Sequence, residues 1–144
     1  MRVDFYQLTR DPAESVVPLL ARNTLKAGER LLVASADEAQ RGRIGDALWA
    51  VKGDFLANGE AGGAHDARQP ILLSAGTAPA NGARFLVLAD GLWRDPPAET
   101  ARVFYLFGDA SLQGARDCWR MLDQREGVER HFWKQQDGRW TEGP

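Results

Sequence analysis

The sequence predicts an α/β fold: a three-layer sandwich with a mixed, mostly parallel sheet flanked by helices. Three observations predict it. Short, continuous apolar runs recur along the chain, as expected for strands buried on both faces of a parallel sheet. In the first half these runs alternate with amphipathic helical segments; later they cluster. The chain has 144 residues, with 44% apolar and 26% charged. That is enough to bury a core without metal or disulfide support, so residues 1–144 read as one domain.

Residues 3–8 (Val-Asp-Phe-Tyr-Gln-Leu) form the first expected strand. Asp11 is placed to cap a helix, with Pro12 at its first position. That helix runs to about Ala27 and turns Val16, Val17, Leu19, Leu20 and Leu25 toward the core. Pro18 inside it predicts a kink or a late start, and Gly28 ends it. Residues 30–35 form the second strand. Asp37 opens a second helix that ends near Trp49. The pattern dissolves into Gly, Asn, Asp and Ala over residues 52–69, a long loop.

Residues 70–74, 84–89 and 102–107 are three more apolar strands. Asp109 or Ser111 caps the last long helix, which reaches about Arg125. Residues 129–135 form a final strand or extended tail. Asp137-Gly138 turns the chain back toward Trp140.

Several functions find no support. There are 18 basic and 20 acidic residues, a net charge of −2, so no bulk positive field grips a duplex. The single cysteine, Cys118, rules out an internal disulfide and suits a reducing compartment. His65 and His131 make no metal-ligand pair. No apolar run approaches about 18 residues, the length of a membrane span, and the N-terminus has no signal-peptide pattern. The expected location is the cytoplasm. No Gly-Lys-Ser/Thr triplet exists, and Gly59, Gly62 and Gly63 lack a strand directly before them, so no phosphate loop is present. Asp90, at the end of the fourth strand and before Gly91, reads as a turn residue. Cys118 reads as a small buried hydrophobe. Ser35, Ser74 and Ser111 lack the strained setting of a catalytic nucleophile. No catalytic residue, cofactor or metal is expected.

One constellation stands out. Trp119, Trp133 and Trp140 are interleaved with Arg116, Arg120, Arg125, Arg130, Lys134 and Arg139. On a helical wheel Leu112, Ala115, Trp119 and Leu122 share an apolar face. Arg116 and Arg120 share the neighbouring stripe. An aromatic wall beside two guanidinium groups can grip a ligand with one apolar ring and one carboxylate. The same residues also read as plain core beside a solvated cationic face. Ala47-Leu48-Trp49 with Phe55-Leu56 is a second apolar group, which also reads as a core closure. Direct binding of single-stranded DNA by the C-terminal Trp and Arg residues remains an alternative, as does a degenerate nucleotide-dependent enzyme.

Read in order, several segments resemble the chi subunit of bacterial DNA polymerase III. They are residues 5–10 (Phe-Tyr-Gln-Leu-Thr-Arg), 46–49 (Asp-Ala-Leu-Trp) with Phe55-Leu56, and 68–73 (Arg-Gln-Pro-Ile-Leu-Leu). Residues 81–91, 115–120, 132–135 and 138–140 continue the series. The resemblance implies a three-layer α/β fold related to nucleotide-binding domains but lacking the phosphate loop. It implies a non-catalytic accessory subunit of the clamp-loader complex. Its partners would be the acidic C-terminal tail of single-stranded DNA-binding protein, and a psi subunit or the clamp loader itself, with DNA met only indirectly. The tail ends in an aromatic residue and a free carboxylate. Carried onto this chain, the tail pocket would use Arg116, Trp119 and Arg120, with Trp49 and Phe55 as its further apolar walls. Relatives often carry Pro-His after the Phe-Leu pair, where this chain has Ala57 and Asn58.

Overall fold

The computed structural model describes residues 1–136 and 139–143. The elements are β1 (Arg2–Gln7), α1 (Ala13–Lys26), β2 (Leu31–Ala34), α2 (Glu38–Trp49), β3 (Asn58–Glu60), β4 (Ile71–Ser74), β5 (Phe85–Leu88), β6 (Arg102–Phe107), α3 (Leu112–Asp123), β7 (Glu129–Gln136) and β8 (Arg139–Glu142). All eight strands join one sheet in the order β3-β4-β2-β5-β6-β1-β7-β8. Six of its pairings are parallel. Only β7 and β8 run antiparallel. The expected mixed, mostly parallel α/β sandwich is the fold observed.

Strand alternation divides the core into two layers. Tyr6, Val33, Val87 and Phe104 point to one face and pack against Val16, Val17 and Leu20 of α1 and Ile44 and Leu48 of α2. Phe5, Leu32, Leu86 and Tyr105 point to the other, where they meet Ala115, Cys118 and Leu122 of α3 and the ring of Trp93. β2 is buried along its whole length, which explains its unbroken apolar sequence.

Several expectations are corrected. Asp11 does not cap α1: Pro12 occupies that position without a side-chain cap bond, and the Asp11 carboxylate instead accepts from Gln135 Nε2 at 2.7 Å. The helix runs through Pro18. Leu19 is 41% exposed rather than core. It lies roughly 130° around the wheel from the centre of the buried stripe, at 100° per residue. The long loop contains β3 and a 3-10 turn at Asp66–Arg68. β3 carries no apolar side chain and is held at the sheet edge by pairing with β4. Ser111 precedes α3, after a 3-10 turn at Asp109–Ser111, but its side chain makes no cap bond. Asp37 caps α2 as expected, accepting from the amides of Ala39 and Gln40. The expected Asp137-Gly138 turn lies outside the described residues.

His131 clasps the terminal hairpin. Its Nδ1 bonds the carboxylate of Glu142 on β8, and its Nε2 lies 3.0 Å from Glu129. The two carboxylates, Glu142 foremost, raise its pKa above the ordinary 6.5. A raised folded-state pKa means the clasp contributes fully below the unfolded value and is lost as the pH rises through the folded value. Amide exchange in β8, corrected for its intrinsic pH dependence, is therefore expected to accelerate as the pH climbs from 6.5 through the folded pKa. In Glu142→Gln the acceleration should largely vanish. A β8 exchange profile that is flat with pH in the wild type counts against the clasp.

Candidate peptide-binding site

α3 packs on the sheet face that carries Phe5 of β1, Phe107 of β6 and Phe132 of β7, and the site lies between the helix and these strands. In-register pairing sets Phe5 beside Phe132, and Gln7 between Phe107 and Lys134. All of these side chains point to the α3 face, because alternate residues of a strand share a side. They line a concave pocket of about 550 Å³ whose apolar floor is the rings of Phe5, Phe107 and Phe132, within the range of roughly 300–1,000 Å³ typical of small-ligand sites. Leu112, Ala115 and Trp119 of α3 form its wall. Trp119 meets Phe5 edge-on, with centroids 5.1 Å apart and planes at 74°. That is a favoured aromatic geometry.

The start of α3 is fixed by the loop after β5. Gly91 has φ +78, and a side chain there would run into Ser111, the residue before α3. Tyr105 donates its hydroxyl to the Gly91 carbonyl at 2.9 Å. Asp90 anchors the same turn, accepting from the amide of Ala36 at 2.8 Å and pairing with Arg94 at 2.7 Å. This fits the turn role read from the sequence. Burial opposes ionisation of Asp90, but Arg94 and the amide bonds outweigh it and hold its pKa below 3.8. Cys118 is buried on the core side of α3, and desolvation pushes its thiol up to about 12, so it is inert as a nucleophile at neutral pH.

Charge at the pocket is one-sided. Arg116, Arg120 and Lys134 all line it. Arg120 makes only a loose pair with Asp117 at 3.5 Å, both strongly exposed. None of the ion pairs among the described residues involves Arg116 or Lys134. An apolar floor in one pocket with three cationic side chains suits a ligand with one ring and several negative charges. No group of His, Cys, Asp and Glu able to hold a metal occurs among the described residues. No helix of the described residues is long and apolar enough to cross a membrane.

The structure unites Arg116, Trp119 and Arg120, and it separates Trp49 and Phe55 from them. α2 packs on the opposite face of the sheet, so a pocket walled by Trp49, Phe55 and Trp119 together does not form. Trp49 and Phe55 instead pair with each other edge-on, 5.6 Å between centroids, and stand 53% and 79% exposed. The pocket also includes residues that the sequence reading did not assign to it: Phe5, Gln7, Phe107, Phe132 and Lys134. The alternation of Phe132 and Lys134 was a usable signal, but it needed the register of β7 on β1.

Trp133 and Trp140 lie on the α1 face beside Tyr6. Trp133 also donates its indole N–H to Asp4 at 2.9 Å. The C-terminal tryptophans are therefore divided between two faces and make no continuous stacking surface.

A comparison with curated proteins gives no match. A family model, DNA polymerase III chi subunit (HolC), matches residues 1–131 of the 144. The resemblance seen in the ordered segments and the match along nine-tenths of the chain agree: this protein belongs to the chi subunit family of DNA polymerase III, an accessory subunit of the replicase.

Proposed function

We propose that the α3 pocket grips the acidic C-terminal tail of single-stranded DNA-binding protein and so links that protein to the clamp-loader complex. One observation carries the reading: the rings of Phe5, Phe107 and Phe132 line one pocket together with Arg116, Arg120 and Lys134. The terminal aromatic ring sits on Phe5, Phe107 and Phe132 against Trp119. The terminal carboxylate meets Arg116, and Arg120 and Lys134 face the acidic residues before it. This is carboxylate capture combined with an aromatic anchor. The role is one of binding rather than catalysis. A short tail loses conformational freedom on docking, so affinity is modest, about micromolar per tail. Several tails on one oligomer raise it by avidity.

The Trp49–Phe55 pair supports a second contact. Two large aromatics standing this exposed are enriched at protein interfaces rather than on free surfaces. They face away from the tail pocket, so we assign them to the partner on the clamp-loader side, a psi subunit or the clamp loader itself. The two partners then bind opposite faces at once. Direct binding of single-stranded DNA has less support, because the tryptophans it needs are split between faces and largely packed.

The test is a titration with a labelled acidic peptide ending in Ile-Pro-Phe, as free acid and as C-terminal amide, at low and moderate salt. The free acid should bind, the amide should bind far more weakly, and salt should weaken both. No binding of the free acid, with binding of naked single-stranded oligonucleotide, would overturn the reading. Trp49→Ala and Phe55→Ala should leave tail affinity within about twofold, as expected for distant, independent sites. A larger loss in either variant would bring the pair back into the tail site.

A further inference from the structure

Behind the pocket sits a cation that does not line it. Arg130 shares the α3 face of β7 with Phe132 and Lys134, one alternate position further from the strand's carboxyl end. Its guanidinium lies 4.2 Å from the centroid of the Trp119 ring. Nη1 donates to the Trp119 carbonyl at 2.7 Å, and Nη2 donates to Asp123 Oδ1 at 2.6 Å. Both acceptors are in the last two turns of α3, where the negative end of the helix dipole favours a cation. The two bonds hold the guanidinium in place, with its central carbon over the indole ring. Phe5 and Phe132 meet the same ring edge-on, at 5.1 and 6.4 Å. The ring is thus held from three directions, and its remaining surface is pocket wall.

We infer that Arg130 is a positioning residue: by bonding α3 and stacking on Trp119 it holds the indole as the pocket wall, and so sets the pocket's preference for a terminal aromatic residue without touching the ligand. This rests on the tail reading above. Arg116, Arg120 and Lys134 supply charge, whereas Arg130 supplies geometry. Its own charge is largely spent on Asp123. Lysine cannot replace it, because an ammonium is a point charge with no plane to stack and no fork to reach two acceptors.

The experiment uses the full chain, Arg130→Met and Arg130→Lys, at a temperature where all three are folded. Methionine keeps an apolar stem beside the ring but removes the plane and both bonds. Two peptides are titrated, identical except for a terminal Phe or Ala, both with free carboxylates. In Arg130→Met the Phe-ended peptide should weaken by about fivefold, the scale of a partly desolvated cation–π contact. The Ala-ended peptide should stay within about twofold. Arg130→Lys should not restore the preference. In parallel, 5-fluorotryptophan labelling reads the ring without any peptide, its Trp119 resonance assigned by its loss in Trp119→Phe. That resonance should shift or broaden in Arg130→Met.

Equal losses for both peptides would make Arg130 one more source of positive charge and overturn the proposal. An unmoved Trp119 resonance would overturn it too. If the wild type binds neither peptide, the tail reading fails and the aromatic preference fails with it. The fluorine signal separates that case, because it still reports whether Arg130 holds the ring.

Discussion

Asp4→Ala will destabilise the protein by about 3 kcal/mol, the low end of the cost of breaking a buried ion pair. Asp4 is fully buried in β1. An unpaired carboxylate there would be prohibitively costly. It is instead held by Arg2 Nη2 at 3.0 Å, Arg102 Nε at 2.8 Å and the Trp133 indole N–H at 2.9 Å. These donors come from β1, β6 and β7, so one carboxylate ties three adjacent strands. Alanine leaves the indole N–H without its acceptor and sets two guanidinium groups side by side without a counter-charge. Both arginines are about a third exposed and can turn to water, which keeps the loss at the low end.

The effect depends on pH in a definite direction. Burial alone would raise the Asp4 pKa, but the bonds from Arg2, Arg102 and Trp133 outweigh it and hold it below 3.8. A depressed folded-state pKa means the contribution is complete above the unfolded value and is lost as the pH falls through the folded value. Denaturant unfolding should therefore separate wild type from Asp4→Ala at neutral pH and bring them together in strong acid. Equal stability at neutral pH would refute the role assigned to this carboxylate. The opposite side of the same three strands is the pocket floor, so loosening them should also weaken the peptide site.

β2 and most of β6 were legible because strands buried on both faces of a parallel sheet favour unbroken apolar runs, as in residues 31–34 and 103–107. β3 was not, because Asn58, Gly59 and Glu60 are held by backbone pairing rather than by side-chain burial. Arg116, Trp119 and Arg120 were legible as a group because they sit at i, i+3 and i+4 of one helix, a purely local relation. The placement of Trp49 and Phe55 was not. Periodicity shows that a helix has an apolar face, but not which side of the sheet receives it. That depends on the direction of each crossover. Phe5, Phe132 and Lys134 needed the β1–β7 register, and Asp4 meets partners 98 and 129 residues away. Long-range pairing of this kind leaves no trace at short spacing.

Arg116→Ala should weaken the free-acid tail peptide about tenfold or more, at least 1.4 kcal/mol. Arg116 lines the pocket beside the apolar floor, and none of the ion pairs among the described residues claims it. Its guanidinium can therefore give both N–H donors to a carboxylate without first breaking another bond. Arg120 differs, being loosely engaged with Asp117 and highly exposed, so Arg120→Ala should cost only about two- to threefold and lose most of that in moderate salt. Amidation of the peptide removes the same partner that Arg116→Ala removes from the protein. If the two groups meet, the losses do not add: the amide should bind wild type and variant nearly alike. Additive losses would place the terminal carboxylate on Lys134 or Arg120 and leave Arg116 facing the acidic residues upstream. The four affinities of this cycle thus test contact as well as charge, because general electrostatic attraction weakens binding without coupling the two changes.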